Sequence, residues 1–469
     1  MINLSIDPGG VRGLGDPERA LLGELLSVFA SNASANERKK KYYEGKISLS
    51  DVNLGLALPE GMRGLEIGCS WGTKAVDVLA ARSMFDGFVD MNGQAVESLD
   101  RIVAGNNLLT EYDKATRDEL TYGSTFATLS ADDRAGAKIR FHSPRTAAAL
   151  WDGEKGRISC GFAVIDAAQD NSQSGLWSPN LINLYTDDAV WVLYREGSLW
   201  YARAFPHRMG RPLMEAMVWA PTSDKPFGRS RIKEPVRRLI DGYVRTIANA
   251  SIGLEFATAP QKYILGVTDE QYAALINNKF RQYVGSIIAS TTNPETGEKP
   301  TFGQLSQGGL SPHADMLKML SAQFAAATGL TVSDVGVVTD ANPTSAEAIL
   351  AQSQTLIATA EQLNASNGNA LRSIGLMALA IANSTSLDGL SEEEKAVMAH
   401  FKNPAMPSVA ATADAAVKIA GARQGFAQTD VFLEMLGFSQ ADIRRIRAQE
   451  VRSRGLAILE GMNENPVAQ

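Results

Sequence analysis

The feature of this sequence that most constrains its fold is a pair of helical patterns that flank a short mixed segment. The first pattern covers residues 232–256, and about 25 residues of α-helix extend over roughly 37 Å. The second covers residues 312–328, and the segment between them, residues 257–311, contains a strand-like stretch at 263–266. Two helices joined in this way cannot bury their own apolar surface. We therefore expect them to pack against neighbouring subunits of an oligomer.

Composition narrows the class of protein further. The 469 residues carry a formal net charge of −7, 45% of them are apolar, and the cysteines are Cys69 and Cys160. Intrinsic disorder of most of the chain is excluded, because disorder requires low hydrophobicity and high net charge. Two cysteines cannot support a disulfide-based fold of this size, so apolar cores must provide the stability. The acidic balance excludes a strong phosphate-binding clamp and leaves only local or weak contact with nucleic acid.

The sequence shows no pattern typical of secretion or of membrane insertion. The first twenty residues are rich in Gly, Pro and Asp and lack the charged and apolar regions of a signal peptide, so we expect a loose lead-in and no secretion. The longest apolar run, residues 374–382, is well short of the roughly 20 residues that cross a bilayer. We expect no membrane partner.

Helical and β-rich stretches occupy separate blocks of the chain. Periodic apolar residues predict helices at residues 17–43, 73–82, 100–121 and 269–277. Region 123–218 instead contains short β-rich runs between turn signals, which predicts an antiparallel sheet built on residues 125–129, 138–141, 189–194 and 199–204. A hairpin-like turn follows at 293–297.

The last third of the chain is predicted to be helical. A capping box at residues 344–347 introduces a long helical pattern that ends near Ala382, with weak interruptions at Gly368 and Gly375. Residues 384–469 continue as helices with breaks at 404–407 and at Gly437. Together these blocks predict an α+β protein.

Residues 68–72, GCSWG, fit two catalytic motifs. They match the G-x-S-x-G nucleophile elbow of hydrolases, with Ser70 as nucleophile. From Glu66 to Gly72 they also resemble the glycine-rich loop of methyltransferases that bind S-adenosylmethionine. The apolar run before them is too short for a buried parallel strand, and no βαβ alternation follows. We favour a turn into the next helix and retain the methyltransferase as an alternative.

Other candidate sites are weak. His142, His207, His313 and His400 lack ligand spacing, so we predict no metal site and no cofactor. The chain has no Walker A pattern and is not expected to be an ATPase. Residues 429–455 resemble a helix-turn-helix with an arginine-rich second helix, but acidic residues dilute its charge. A packing hairpin is the preferred interpretation, and a DNA-binding regulator is a second alternative.

Several short sequence motifs, called phrases below, together with their order resemble the portal proteins of tailed bacteriophages, of the group found in many actinobacterial phages. The resemblance covers about residues 20 to 460. The phrases are YYEG at 42–45, AVDVLAAR at 75–82, GF at 87–88, DKPFGRSRI at 224–232, APQKYILG at 259–266, TGL at 328–330 and NPTSAEAI at 342–349.

This resemblance implies a portal fold with a mixed α/β wing, a two-helix stem, a small α/β clip, a long wing helix and a helical crown, assembled as a ring. The implied segments are the wing at 1–230, the stem helices at 231–256 and 312–328, the clip at 257–311, the channel loop at 329–343, the long helix returning through the wing at 344–383 and the crown at 384–469.

The resemblance also implies a function. Such a ring, usually of twelve subunits, sits at one capsid vertex of the virion, is assembled in the host cytoplasm, and conducts double-stranded DNA during packaging and ejection. The implied partners are terminase, a head–tail adaptor, and the major capsid and scaffolding proteins. No catalysis is implied for the chain itself, because terminase hydrolyses the ATP.

Two sets of site residues follow from the resemblance. The channel loop would contain Val332, Ser333, Asp334, Val335, Gly336, Val337, Val338, Thr339 and Asp340. It has no Lys or Arg, which suits a conduit, because each cation bound to a phosphate adds affinity and friction. In the first stem helix, ion pairs between subunits would involve Arg237, Arg238, Arg245 and Asp241, although exposed pairs are worth little individually.

Overall fold

The computed structural model describes residues 2, 4, 6–48, 66–169, 177–258, 262–265, 297, 301–304, 309–336, 346–405 and 409–464. Its described part combines helices with antiparallel sheets, so the predicted α+β class is confirmed. Within these ranges, no helix has the length and apolar character needed to span a bilayer.

The N-terminal residues are part of the packed structure rather than a loose lead-in. Strand β1 (Val11–Arg12) pairs in parallel with a later strand, and Val11 is completely buried. Ile6 and Leu14 are buried beside it. The prediction of a loose arm was wrong for this stretch, because three widely spaced apolar residues are enough to attach it to a core. Helix α1 (Asp16–Glu44) then confirms the predicted helix at 17–43.

The described residues of the next segment form three helices and three short strands. Its elements are β2 (Lys46–Ser48), β3 (Glu66–Gly68), α2 (Trp71–Ala80), β4 (Phe85–Val89), α3 (Glu97–Gly105) and α4 (Leu108–Tyr122). Helix α2 confirms the prediction at 73–82, but the single helix predicted at 100–121 is two helices. They separate at Asn107, which is left-handed with φ 49°, while the Asn106 side chain bonds the backbone of Ala137 and Ile139. A tertiary contact therefore interrupts a continuous helical pattern.

The β-rich region forms two sheets. Its strands are β5 (Ser124–Asp132), β6 (Gly136–His142), β7 (Ala147–Asp152), β8 (Arg157–Gln169), β9 (Trp177–Tyr185), β10 (Ala189–Glu196), β11 (Leu199–Pro206) and β12 (Met214–Val218). One sheet has the order β1-β11-β10-β9-β8-β7, and the other has the order β12-β5-β6. Apart from β1, their neighbours are antiparallel, which confirms the prediction for the four β-rich runs. The pattern missed β7, β8, β9 and β12.

A helix pair and a small ribbon follow. The elements are α5 (Glu234–Thr258), β13 (Lys262–Leu265), β14 (Thr301–Gln304) and α6 (Ser311–Thr328). Both long helices and the strand at 263–266 are confirmed, and β13 pairs antiparallel with β14. The predicted helix at 269–277 lies outside the described residues, as does the predicted turn at 293–297 except for Gly297.

The C-terminal third begins with α7 (Ala346–Ala382), a single helix of 37 residues that continues through Gly368 and Gly375. The later elements are α8 (Glu392–Lys395), β15 (Met398–Phe401), α9 (Val409–Ala422), α10 (Asp430–Met435) and α11 (Gln440–Glu464). Strand β15 was not predicted. It pairs antiparallel with β4, more than 300 positions earlier in the chain.

The described residues form three buried apolar clusters. The first joins both sheets to α3, α4 and the second half of α7, and the second joins α2, α5, α6 and the first half of α7. The third lies between α1 and the six-stranded sheet. Helix α7 contributes to the first two clusters, so it links the sheet region to the helix pair.

Candidate functional site: the helix pair and the loop after it

Helices α5 and α6 pack against each other in antiparallel orientation. Gly242 of α5 lies beside Leu320 of α6, and Gly253 lies beside Leu310 just before α6 begins. A Cβ placed on Gly242 would be 3.2 Å from the Leu320 side chain, so the absence of a side chain allows the helices to approach closely there.

The inner face of α5 is fully buried. Ile232, just before the helix, and Val236, Ile240 and Val244 within it recur every four residues, and each is 0% exposed. This spacing places them on one stripe of the helix. Trp71 at the start of α2 packs beside them, with its ring centroid 4.7 Å from that of Phe324 in α6. The helix pair is therefore anchored to α2 by a continuous apolar contact.

Large apolar side chains on the helix pair are exposed among the residues that the structure describes. Leu254 is 49% exposed, Leu310 is 40%, Met316 is 39% and Met319 is 48%. Exposed apolar residues clustered on one structural element are typical of a protein–protein contact.

Arg231 connects the base of both helices to the rest of the protein. Its guanidinium donates to the carbonyl oxygens of Ala75 in α2 and Thr328 at the end of α6, and it lies 5.8 Å from the centre of the Trp219 ring. The side chain is buried without a carboxylate partner in these contacts, and burial lowers its pKa to about 10. Carbonyl oxygens at a helix C-terminus carry partial negative charge and suit a buried cation.

The four residues predicted to pair between subunits have different surroundings. Arg238 is exposed and pairs with Glu234 one turn earlier, at 2.6 Å. Asp241 accepts a hydrogen bond from the Tyr42 hydroxyl at 2.7 Å, and Arg237 donates to the Ile232 carbonyl at 2.8 Å. Arg245 is exposed on the same helix.

The loop after α6 begins with a left-handed glycine, Gly329, at φ 68°. The Asp334 carboxylate then accepts hydrogen bonds from the backbone N–H and hydroxyl of Thr331, at 3.0 and 2.8 Å. Asp334 therefore holds the turn together. Ser333 and Gly336 are exposed. Val337, Val338, Thr339 and Asp340 lie outside the described residues.

Sequence reasoning did not single out Arg231 or Tyr42 as site residues, although both lie in phrases that carry the resemblance. A signal was available for Arg231, since it lies two residues after Arg229 and directly precedes the apolar stripe of α5. The role of Tyr42 depends on a contact across 199 positions, which no local pattern reveals.

Residues 66–72 do not form a catalytic elbow or a cofactor loop. Strand β3 is three residues long and pairs antiparallel with β2, whereas both motifs require a central parallel strand. A Cβ on Gly72 would lie 1.9 Å from the carbonyl oxygen of Tyr42. The glycine is thus explained by close packing of α2 on α1, and the turn favoured from the sequence is what the structure contains.

The arginines of the C-terminal hairpin largely engage carboxylates of the same chain. Arg444 pairs with Asp100 of α3, and Arg447 pairs with Asp430 at 2.6 Å and Glu450 at 2.8 Å. Arg445 lies 3.5 Å from Asp442. Helix α10 has six residues, and the arrangement agrees with the packing hairpin that the sequence favoured, while Arg452 and Arg454 of α11 are exposed.

The remaining candidate chemistry is structural. Cys69 and Cys160 are free and buried, and burial raises the pKa of each thiol to about 11. Burial lowers the pKa of His142 to about 4, so its ring is neutral. Across the part of the chain that the structure describes, no three His, Cys, Asp or Glu side chains converge as metal ligands would.

Comparison with known families is decisive for the class of protein. The family model for phage portal proteins of the SPP1 Gp6-like type matches residues 24–454. The chain therefore belongs to the SPP1 Gp6-like family of phage portal proteins, a structural family, and its role is that of a capsid portal. The resemblance drawn from the sequence is confirmed.

Among curated relatives, the chain is 26% identical to the portal protein of Mycobacterium phage D29 and 25% identical to that of Mycobacterium phage L5. Each alignment covers 97% of this chain and 93% of the relative. Solved structures of the neck of a gene transfer agent particle are also similar, with TM-scores of 0.43 and 0.42 and identities of 13% and 14%. They cover 76% and 78% of this chain and 85% and 89% of theirs.

Proposed function

We propose that this portal protein assembles as a ring, of twelve subunits as is usual in its family, whose central channel conducts double-stranded DNA into and out of a phage head. The observation that carries the proposal is the helix pair α5–α6. One face of the pair is buried against α2, while among the described residues Leu254, Leu310, Met316 and Met319 of the same segment remain exposed. A neighbouring subunit in a ring would cover them, and burial of apolar area drives such association.

The segments would then have the following places in the ring. The wing would comprise residues 1–230, the stem 231–256 and 312–328, the clip 257–311, the channel loop 329–343, the returning helix 344–383 and the crown 384–469. The packing of α7 against both the sheets and the stem supports a helix that passes through the wing.

The stem residues would divide between structural and interfacial roles. Asp241 and Arg237 already hold partners within the subunit, through the Tyr42 hydroxyl and the Ile232 carbonyl. Arg237 and Asp241 are also half-buried, whereas Arg238, which pairs with Glu234, and Arg245 are exposed. Their exposure makes Arg238 and Arg245 the better candidates for contacts with a neighbouring subunit. Such contacts would fix the register between neighbouring subunits but would add little to the stability of the ring.

The loop from Val332 to Asp340 would approach the DNA. Residues 329–343 contain no Lys or Arg. The loop would therefore form no cation–phosphate contacts with passing DNA, and such contacts are what add affinity and friction by releasing counterions from the DNA. The Asp334 carboxylate accepts a hydrogen bond from the Thr331 backbone N–H, and this bond keeps part of the loop compact.

We also propose that the chain acts without catalysis of its own. Terminase would dock on the clip during packaging and supply ATP hydrolysis, and a head–tail adaptor would replace it afterwards. The major capsid and scaffolding proteins would surround the wing at one vertex, during assembly in the host cytoplasm.

The test is the mass of the full chain in solution, measured by native mass spectrometry and imaged by electron microscopy. Twelve chains of 50.3 kDa would give a ring of about 600 kDa. We expect Met319→Glu to shift the population towards monomer, because it places a charge at the proposed interface.

The matched control is Met91→Glu. Met91 is 77% exposed, close to β4 and outside the stem. This variant should assemble like the unmodified chain. A wild-type chain that stays monomeric at micromolar concentration would overturn the proposal, as would a Met319→Glu variant that assembles as well as Met91→Glu.

A further inference from the structure

A chain of buried polar side chains joins helix α4 to the middle of helix α7. Glu119 of α4 and Asn367 of α7 are both 0% exposed. The Asn367 amide Nδ2 donates to Glu119 Oε2 at 2.8 Å and to the Tyr112 hydroxyl at 3.1 Å. The Tyr112 hydroxyl in turn lies 2.7 Å from Ser83 Oγ. The two helices therefore meet through polar atoms in an otherwise apolar core.

Two atoms of the central pair have no hydrogen-bond partner among the described residues. They are Glu119 Oε1 and Asn367 Oδ1, and both are buried. If the carboxyl group were ionised, both atoms would be acceptors and could not bond to each other. Buried polar atoms in folded proteins are normally paired, so two orphans on side chains that already share one hydrogen bond require an explanation.

We propose that Glu119 is held in its protonated form and that its Oε1–H donates to Asn367 Oδ1, which closes a cyclic carboxylic acid–carboxamide pair between α4 and α7. One proton then satisfies both unpaired atoms. In this pair each side chain donates once and accepts once, as in a complementary planar dimer. The pair fixes the position of α7 along α4 and makes that position dependent on a titratable group.

No charged neighbour is among the causes of the pKa shift of Glu119, and the paired charged groups around α4 bind partners other than this carboxyl. Arg117 of α4 binds Asp113 and Asp77 of α2. Arg145 in the β6–β7 turn pairs with Glu37 of α1, and Arg211 pairs with Glu215 of β12. Arg444 pairs with Asp100 of α3. Lys402 and His400 both lie near Asp86 of β4. Lys39 of α1 donates a hydrogen bond to the Tyr122 carbonyl, and Arg231 donates to the Ala75 carbonyl. The charge of Arg140 in β6 lowers the pKa of His142.

The remaining neighbours favour the neutral acid. Burial raises the pKa of Glu119 to about 8, and the hydrogen bond from Asn367 opposes this rise only in part. Tyr112 is itself neutral, since burial and then Glu119 raise its pKa to about 12. Asp118, next to Glu119 in α4, has its pKa raised to about 6 by burial, with Arg145 acting in the opposite direction. Near neutral pH, the protonated form of Glu119 is therefore lower in free energy than the ionised form.

The consequence is a defined pH dependence. The folded chain holds this proton to a higher pH than the unfolded chain, whose Glu has an ordinary pKa of 4.5. The contribution of Glu119 to stability is fully present below that value and is lost as the pH rises through about 8. Over this window the unfolding constant should increase about tenfold per pH unit through this group alone.

Infrared spectroscopy of the full-length chain tests the protonation directly. We expect the wild-type protein at about pH 7 to show the C=O stretching band of a protonated carboxylic acid, shifted in D₂O and lost at alkaline pH (about 9 and above, one unit past the group's titration). At pH 7 Asp118, with a pKa of about 6, is mostly ionised, whereas Glu119, with a pKa of about 8, is still mostly protonated. Glu119→Gln should lack this band. The matched control is Glu111→Gln on the same helix, whose partly exposed carboxylate pairs with Lys114, and it should retain the band.

A second measurement separates titration from simple packing. In Glu119→Gln the new amide can donate to Asn367 Oδ1 and accept from Nδ2, so it preserves the pair but cannot ionise. The melting temperature of the wild type should fall relative to that of Glu119→Gln between pH 5 and pH 8. Parallel melting curves over this range would overturn the proposal, and so would an unchanged infrared band in Glu119→Gln at pH 7 or the absence of the band from folded wild type at pH 7.

Discussion

The body of the protein, residues 6–405, and the C-terminal helices, residues 409–464, are stabilised in different ways. The described residues of the body contain three clusters of buried apolar side chains. Among the described residues of the C-terminal helices, only Ala416 and Ile443 are buried apolar residues. Large apolar side chains are instead exposed there, namely Val417, Ile419, Val431, Phe438, Val451 and Leu456. The body has its own core, whereas the described C-terminal helices have almost no buried apolar side chains.

The contacts that attach the C-terminal helices to the body are mainly polar. Arg444 pairs with Asp100, and Gln94 donates to Asp430 at 2.8 Å. His400 of β15 lies between Asp86 and Glu434, at 3.8 Å from each. Exposed ion pairs contribute little in water and are screened by salt. Regions held in this way open locally before the core does.

The largest effect is expected in the body, at Phe324. Its ring is completely buried against Trp71 in the second cluster, so Phe324→Ala should lower the free energy of unfolding by about 3–5 kcal/mol, the range for a large cavity. Denaturant titration followed by tryptophan fluorescence measures this change. Phe438→Ala, at a ring that is 44% exposed in the C-terminal helices, should change it by less than about 1 kcal/mol. Equal effects would contradict the contrast between the two regions.

Arg231→Met tests the polar anchor of the stem. It leaves the Thr328 carbonyl at the end of α6 without this donor, and a buried acceptor left unpaired costs about 1–3 kcal/mol. It also removes the hydrogen bond to the Ala75 carbonyl, which is worth about 1 kcal/mol more. We expect a loss of roughly 2–4 kcal/mol in total, seen as a lower melting temperature. The control is Arg238→Met, whose side chain is 76% exposed, and it should be nearly neutral. A neutral Arg231→Met would show that the stem depends on apolar contacts alone.

Gly72→Ala tests the close contact between α1 and α2. The added Cβ would meet the Tyr42 carbonyl oxygen at 1.9 Å, so α2 must shift, at a cost of about 1–3 kcal/mol. Gly23→Ala is the control, because its Cβ would meet only Pro8 at 3.8 Å, and alanine favours the helix by up to about 1 kcal/mol. Thermal melting should therefore move in opposite directions for the two variants. A stabilising Gly72→Ala would exclude the packing explanation for this glycine.

The smallest effect is expected at the attachment of the C-terminal helices. Arg444→Gln removes the ion pair with Asp100 and should cost less than about 1 kcal/mol, with a still smaller effect in high salt. Limited proteolysis should nevertheless cut residues 409–464 faster while the body resists. Arg445→Gln is the matched control, because Arg445 is 80% exposed and pairs within its own helix. Accelerated cleavage in the body instead would mean that the two regions open together.

Local patterns predicted the helices best. The four-residue repeat of apolar residues in α5 and the long pattern of α7 require no tertiary information, because one face of each helix must be buried. The same reasoning failed at Asn106 and Asn107, where the pattern continues but a side-chain bond to the β6 backbone ends the helix. It also failed for β15, which is a strand only because β4 is available to pair with it.

The candidate site was predictable in outline but not in its anchors. The helix pair, the loop without basic residues and the family were all apparent from the order of short phrases. The interactions of Arg231 and Tyr42 were not, since their partners are 97 to 199 positions away along the chain. The pairing of Glu119 with Asn367 spans 248 positions and joins two residues that look like ordinary helix surface in the sequence.

By itself, the sequence determined the helical and β-rich blocks, the family and the absence of basic residues from the loop, because these depend on residue type and local periodicity. The tertiary structure decided which face of each helix is covered, which glycine permits close packing, and which buried polar groups share a proton. Those properties depend on the distance between residues far apart in the chain, and only the folded arrangement sets that distance.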